Sequence, residues 1–138
     1  MSVAARVQDS ILLWENDRFE GAFLNALIAV AATSRQHYPD LKKSGDRKPF
    51  EAFLRNALGS IRLGVEFRGK HYPIETILYT WLRCELVHEG SVPIDIEFID
   101  HDGLTVRAGG APNYILKLSR GWFHFLIEAV VKTNSISI

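Results

Sequence analysis

The chain has 138 residues, 47% of them hydrophobic and 11% aromatic, enough for one compact domain with a buried core and too few for a second large one. With 16 basic and 16 acidic residues the formal net charge is zero, which argues against a protein that grips nucleic acid by bulk electrostatics but leaves room for a local basic patch. The single cysteine, Cys84, excludes an intrachain disulfide, and no zinc-type spacing of cysteine and histidine occurs, so no metal or cofactor is expected and a reducing cytoplasm fits best.

The N-terminus lacks the basic-then-apolar order of a signal peptide, and the longest apolar run, residues 26–32, is too short to span a bilayer. No membrane association is expected. Val3, Val7, Ser10, Ile11 and Trp14 fall at helical spacing and predict a first amphipathic helix over about 3–15. From Asp17 to Tyr38, Phe19, Phe23, Ala26, Leu27 and Val30 form one stripe with Leu24, Ile28 and Ala31 beside it. So wide an apolar face predicts a central, mostly buried helix. Asp17 and Glu20 resemble a capping box, although the two helices can equally run on through Glu15 and Asn16. Pro39 ends the second helix.

Residues 40–48 read as a polar, solvated connection with a small basic cluster. Pro49 suits a first helical turn, and Phe50, Phe53, Leu54, Ala57 and Leu58 predict a third helix, stopped by Gly59 and Ser60. From Ile61 to Tyr72 the pattern is irregular, with Val65 and Phe67 alternating before the turn-like Arg68-Gly69-Lys70; a short extended piece and a loop both fit. Pro73 opens the next helix, whose line Ile74, Ile77, Leu78, Trp81, Glu85 and His88 emerges from the core at its last two members; Gly90 ends it. Beyond Gly90 the period becomes two. Ile94, Ile96 and Phe98 alternate with polar or exposed positions, His101-Asp102-Gly103 supplies a hairpin turn, and Leu104, Val106 and Ala108 continue the alternation. After a second break at 109–113, Tyr114, Leu116 and Leu118 offer another strand, and Ser119 is placed to cap a last helix carrying Trp122, Phe125, Leu126, Ala129 and Val130. The expected fold is therefore a single, mainly α domain, a helical bundle over 1–138 with a small antiparallel β-hairpin or meander at about 92–118, before the last helix.

Chemistry concentrates in Tyr-Thr-Trp-Leu-Arg-Cys-Glu-Leu-Val-His-Glu-Gly, residues 79–90, where Arg83 and His88 close an apolar-striped helix with four residues between them. Histidine titrates near neutrality and serves as base or acid, while arginine stays charged and presents a fork of donors matched to phosphate oxygens. In an ideal helix the two lie about 140° apart at roughly 100° per residue, so they converge only if the last turn loosens or if two chains bring their copies together. A structural reading stands beside this one: Arg83 bonding the carboxylate of Glu85, of Glu89 or of another chain, and His88 satisfying helix-end carbonyls. His37, Tyr38, His71, Tyr72 and His101 read as loop residues, and Trp14, Trp81 and Trp122 as core or interface.

The stretch from Leu78 to Gly90 resembles the signature of the HEPN superfamily, the higher-eukaryote and prokaryote nucleotide-binding helical domains, in which an arginine and a histidine separated by a few variable residues end a helix of a small bundle. The resemblance covers about a dozen residues of 138. It implies a metal-independent endoribonuclease of the toxin-antitoxin, phage-defence or CRISPR-linked kind, acting as a homodimer with Arg83 and His88 as the catalytic pair, on RNA because the attacking group is the 2′-hydroxyl. Glu85, Glu89 and Cys84 are auxiliary candidates. Cys84 departs from the Asn, Asp or His often found after the arginine in active members. The alternative is a noncatalytic HEPN-like domain that binds a nucleotide, RNA or a partner protein, such as a cognate antitoxin, through the same surface.

Overall fold

A computed structural model describes residues 2–108 and 114–137. Helix α1 (Val3–Glu15) starts where the Ser2 hydroxyl accepts the Ala5 N–H at 3.3 Å, and its buried residues are Val7 and Ser10. The chain then breaks at Asp17, which takes a left-handed φ of 58°, so α2 (Phe19–His37) begins with Arg18 at its N-cap and no side-chain cap. Neither the Asp17–Glu20 capping box nor a continuous helix forms. Asp17 is used to reverse the chain, and a residue in that conformation cannot also cap in the extended region a capping side chain needs. Otherwise α2 is as its wide stripe predicts: ten of its residues, from Ala22 to Ser34, are buried, making it the central rod of the core.

A short 3-10 turn, Leu41–Ser44, leads into α3 (Arg47–Leu58). Pro49 lies in its first turn, and Phe50, Phe53, Leu54 and Leu58 are buried against α2. The irregular stretch after Gly59 resolves into an antiparallel hairpin, β1 (Gly64–Phe67) with β2 (Lys70–Pro73), in register Val65 to Tyr72 and Phe67 to Lys70. Arg68 and Gly69 form its two-residue turn with φ of 52° and 80°, the doubly left-handed geometry that matches strand twist. His71 and Tyr72 are thus strand residues rather than loop residues.

The hairpin feeds directly into a helical rod running from 74 to 89, α4 (Ile74–Ile77), a π-helical stretch (Leu78–Arg83) and α5 (Cys84–Glu89). Within it the Cys84 N–H reaches the Tyr79 carbonyl five residues back. The wider turn changes the angular position of everything downstream. Ile74, Ile77 and Leu78 are buried as the spacing predicts, Trp81 and Glu85 are half-buried and His88 is exposed, so the predicted line leaves the core toward its end, while the buried line continues through Leu82 and Leu86.

Three short strands follow: β3 (Ile96–Ile99), β4 (Val106–Ala108) and β5 (Leu116–Ser119). The expected hairpin at His101-Asp102-Gly103 does not form, since β3 and β4 do not pair, whereas the consecutive strands β4 and β5 are antiparallel as expected. The order is β3-β5-β4, with β5 central, parallel to β3 and antiparallel to β4. Leu116, Leu118 and Ser119 are all buried, so β5 is the strand that most needs both edges covered, and alternation alone says nothing of partners. The break at 109–113 lies outside the described residues.

Helix α6 (Gly121–Asn134) continues past Val130 to Asn134 and buries Trp122, Phe123, Leu126, Ile127 and Val130. Ser119 does not cap it. Its hydroxyl instead donates to the Gly103 carbonyl and accepts the Thr105 N–H at 2.9 Å, while the Gly121 N–H donates to the His101 carbonyl and the Trp122 indole to the Thr105 carbonyl. The 101–105 loop is thereby fastened to the start of α6. All the helices and both sheets contribute to one apolar cluster. No helix among the described residues is long and apolar enough to cross a membrane.

The two sheets are joined by Arg68, which donates to both carboxylate oxygens of Asp95 at 2.7 and 2.9 Å and lies over the rings of Phe67 and Trp81. The bonds from Arg68 hold the Asp95 carboxyl below its usual range. A depressed folded value means the pair stabilises above the unfolded carboxylate range and loses that contribution as pH falls below about 4. Arg68 is half exposed, so the contribution is at most about 1 kcal/mol. Urea titrations of wild type and Asp95→Asn should differ by that amount at neutral pH and converge as pH falls through the depressed value of the folded carboxyl; equal stabilities at pH 7 would deny the pair any role.

Candidate functional site

Arg83 ends the π-helical stretch, half-buried on the part of the rod that packs on α2 and α3. Its guanidinium carbon lies 5.7 Å from the centroid of the Tyr79 ring, one π turn earlier, and the Tyr79 ring meets Phe50 edge-on at 5.1 Å. Burial pushes the Tyr79 hydroxyl pKa up, Cys84 beside it adds to the shift, and the Arg83 charge opposes it. Tyr79 therefore stays a neutral donor through the physiological range. Asp46 acts on the same phenol from a distance but is engaged by Arg35 at 3.7 Å.

Arg83 itself has no ion pair among the described residues, and its Nε is enclosed without a hydrogen-bond partner. An enclosed guanidinium nitrogen without an acceptor costs stability unless something outside the fold satisfies it. The structural reading in which Arg83 pairs with Glu85 or Glu89 fails on this count. Glu85 acts instead on Arg68, whose charge it helps to hold, and Glu89 is exposed with no ion pair among the described residues.

His88 stands exposed in the last turn before Gly90, whose φ of 78° ends the helix and whose N–H returns to the Leu86 carbonyl at 3.1 Å. The last turn does not loosen. From Arg83 to His88 the backbone is helical, so the two side chains leave the rod about 140° apart at roughly 100° per residue. One chain does not bring them together. Val87, between them on the surface, is 48% exposed. Cys84 is a half-buried thiol beside Tyr79 with no histidine base placed against it.

A second concentration of charge went unread in the sequence. The end of α3 and the β1–β2 hairpin enclose a cleft of about 400 Å³ lined by Arg55, Arg62, His71, Tyr72 and Glu75. Glu75 is a buried carboxylate held by the Arg55 Nε at 3.0 Å. These residues are up to 20 positions apart and meet because α4, entered directly from the hairpin, packs beside α3; the Arg68-Gly69 turn was the signal that could have announced the hairpin. Among the described residues, no group of three or more His, Cys, Asp and Glu side chains is arranged to hold a metal ion.

No curated protein and no solved structure matches the chain. A family model does match, over residues 2–134, nearly the whole length, and the chain belongs to the Rv1289 family.

Proposed function

We propose that the chain is a HEPN-like, metal-independent endoribonuclease that cleaves RNA through 2′-hydroxyl attack, with Arg83 and His88 of two subunits forming one composite site. The observation that carries this reading is Arg83: a half-buried guanidinium in the rod that, unlike Arg6 and Arg120, whose Nε atoms are equally enclosed, has no carboxylate partner among the described residues. That is the state of an arginine kept for an external anion, and a phosphodiester supplies oxygens in the geometry its fork fits. His88, exposed near the same helix end, is accessible for proton transfer. The 140° offset makes a twofold arrangement necessary, since a second copy can present its His88 to the first copy's Arg83. In such a site one histidine takes the 2′-hydroxyl proton, the other protonates the leaving 5′-oxygen, and the arginines stabilise the charge on the phosphorane.

The same offset favours a second reading, a domain that binds RNA or a partner through Arg83 without cleaving, with Cys84 in place of the polar residue of active HEPN members.

The test is cleavage of a mixed RNA pool in EDTA by wild type, Arg83→Ala and His88→Ala, with analysis of the new ends. Cleavage that leaves 2′,3′-cyclic phosphate, spares DNA and falls at least about a hundredfold in each variant supports the nuclease. RNA retention without cleavage, weakened only in Arg83→Ala, supports the binding domain. No cleavage and no retention by folded wild type would discard both.

A further inference from the structure

Away from Arg83 and His88, we infer that the cleft between the end of α3 and the β1–β2 hairpin is a binding site for a small organic anion, a phosphate or carboxylate on a compact apolar body. Its two arginines are each fixed along one edge by the protein and left open along the other. The Arg55 Nε is spent on the buried Glu75 carboxylate, which leaves both terminal nitrogens without a partner among the described residues. The Arg62 Nη1 donates to the Gly59 and Ile61 carbonyls, which leaves its Nη2 and Nε likewise without one. Two guanidinium groups pinned in this way have already lost much of their rotational freedom, so an anion gains their hydrogen bonds at reduced entropic cost.

The charge of the cleft favours an anion. Glu75 neutralises Arg55, whereas Arg62 has no carboxylate among the described residues, so the lining carries a surplus positive charge. Glu66, the cross-strand partner of His71, is not among the residues that line the cleft. The rest of the wall is apolar or aromatic: Leu63, Pro73 and Tyr72, the last held in place by the edge of Trp81 at 4.7 Å. A volume of about 400 Å³ admits a ring with a charged head and excludes a folded chain. Gly64 lines the cleft beside the His71 ring, which a Cβ there would meet at 3.9 Å, an ordinary contact distance, so a larger side chain can be built into the cleft from this position. A bare inorganic anion would use the arginines and leave the apolar wall wet, so the site is matched to a molecule with both parts.

Phenyl phosphate, benzoate and inorganic phosphate serve as probes, followed by calorimetry and by the ring-proton resonances of His71. Phenyl phosphate or benzoate is expected to bind and shift His71, with inorganic phosphate at least about tenfold weaker, and whichever of the two organic anions binds tighter assigns the head group. Arg62→Gln should weaken the organic probe at least about tenfold. Gly64→Leu, which retains every charge and has no positive φ to strain, should block it by filling the cleft. Both variants are accepted only if their melting curves match wild type. Absence of any His71 shift at millimolar probe, equal binding of inorganic phosphate, or undiminished binding by both folded variants would overturn the assignment. None of these results depends on whether the protein cleaves RNA.

Discussion

Gly121→Ala should cost the fold about 3 kcal/mol or more, seen as a large drop in the urea midpoint or as failure to fold. The glycine is fully enclosed at the first position of α6, and a methyl group there would collide with the backbone carbonyl oxygens of both Asp102 and Gly103. Backbone cannot yield as a flexible side chain can. To make room, the 101–105 loop would have to lift, and with it would go the bonds from Gly121 to His101, from Ser119 to Gly103 and Thr105, and from the Trp122 indole to Thr105. Several buried polar groups would then lack partners together, each at a cost of about 1–3 kcal/mol. Gly21→Ala is the control, since its Cβ would meet only the end of the Leu13 side chain at 3.3 Å, in a helix where alanine is the better former. Its stability should stay within about 1 kcal/mol of wild type. A Gly121→Ala protein as stable as Gly21→Ala would mean that the loop does not press on α6.

Phe23→Ala should be comparably severe, about 3–5 kcal/mol. Phe23 has no solvent exposure and sits where four elements meet: it stacks on Phe98 of β3 at 4.3 Å and meets Trp14 of α1 and Phe123 of α6 edge-on at 6.3 and 5.8 Å. Truncation leaves a cavity that rigid neighbours from three other elements cannot collapse to fill, and it also removes aromatic pair energies of about 0.5–1.5 kcal/mol each. Phe23→Leu restores most of the volume and should recover about half of the loss by the same area argument. If both substitutions cost under 1 kcal/mol, judged against the ~5–15 kcal/mol total of a domain, the cluster would not be the organising centre of the fold.

The helices were legible because their information is local. Val3 to Trp14, the broad stripe of α2 and the Trp122 to Val130 spacing each encode a buried face within a few turns of chain, and the observed bounds fall close to them. What failed was information held between elements. Period-two alternation in 94–108 marked two extended segments correctly, yet the partner of both is β5, chosen because Leu116 and Leu118 are the most buried strand positions. Ser119 looked like a cap because a serine before an apolar helix usually is one; here a distant loop claims its hydroxyl. The single extra residue of the π stretch cannot be seen in a spacing count that assumes one pitch; the predicted line leaves the core at Glu85 and His88, and the spacing does not show that the buried line continues through Leu82 and Leu86. Arg83 and His88 are legible as a candidate pair that a second copy of the chain would have to complete. Their separation around the rod was computable from sequence, while the missing acceptor for the Arg83 Nε required coordinates.

The stacking of Trp14 on Phe123, with rings 4.3 Å apart and nearly parallel, ties α1 to α6, and the Asn134 amide reaches the Thr33 hydroxyl across 101 positions. Such closures impose an order of events during synthesis. At about 5–20 residues per second, the first two helices wait seconds outside the ribosome before the segment that covers them emerges. In that interval α2 presents Phe23, Leu27 and Val30 without their final partners, and the small sheet cannot assemble until β5 follows both of its neighbours. Productive folding therefore hinges on the last fifth of the chain, and nascent fragments ending before Gly121 should be the species that chaperones hold and proteases clear.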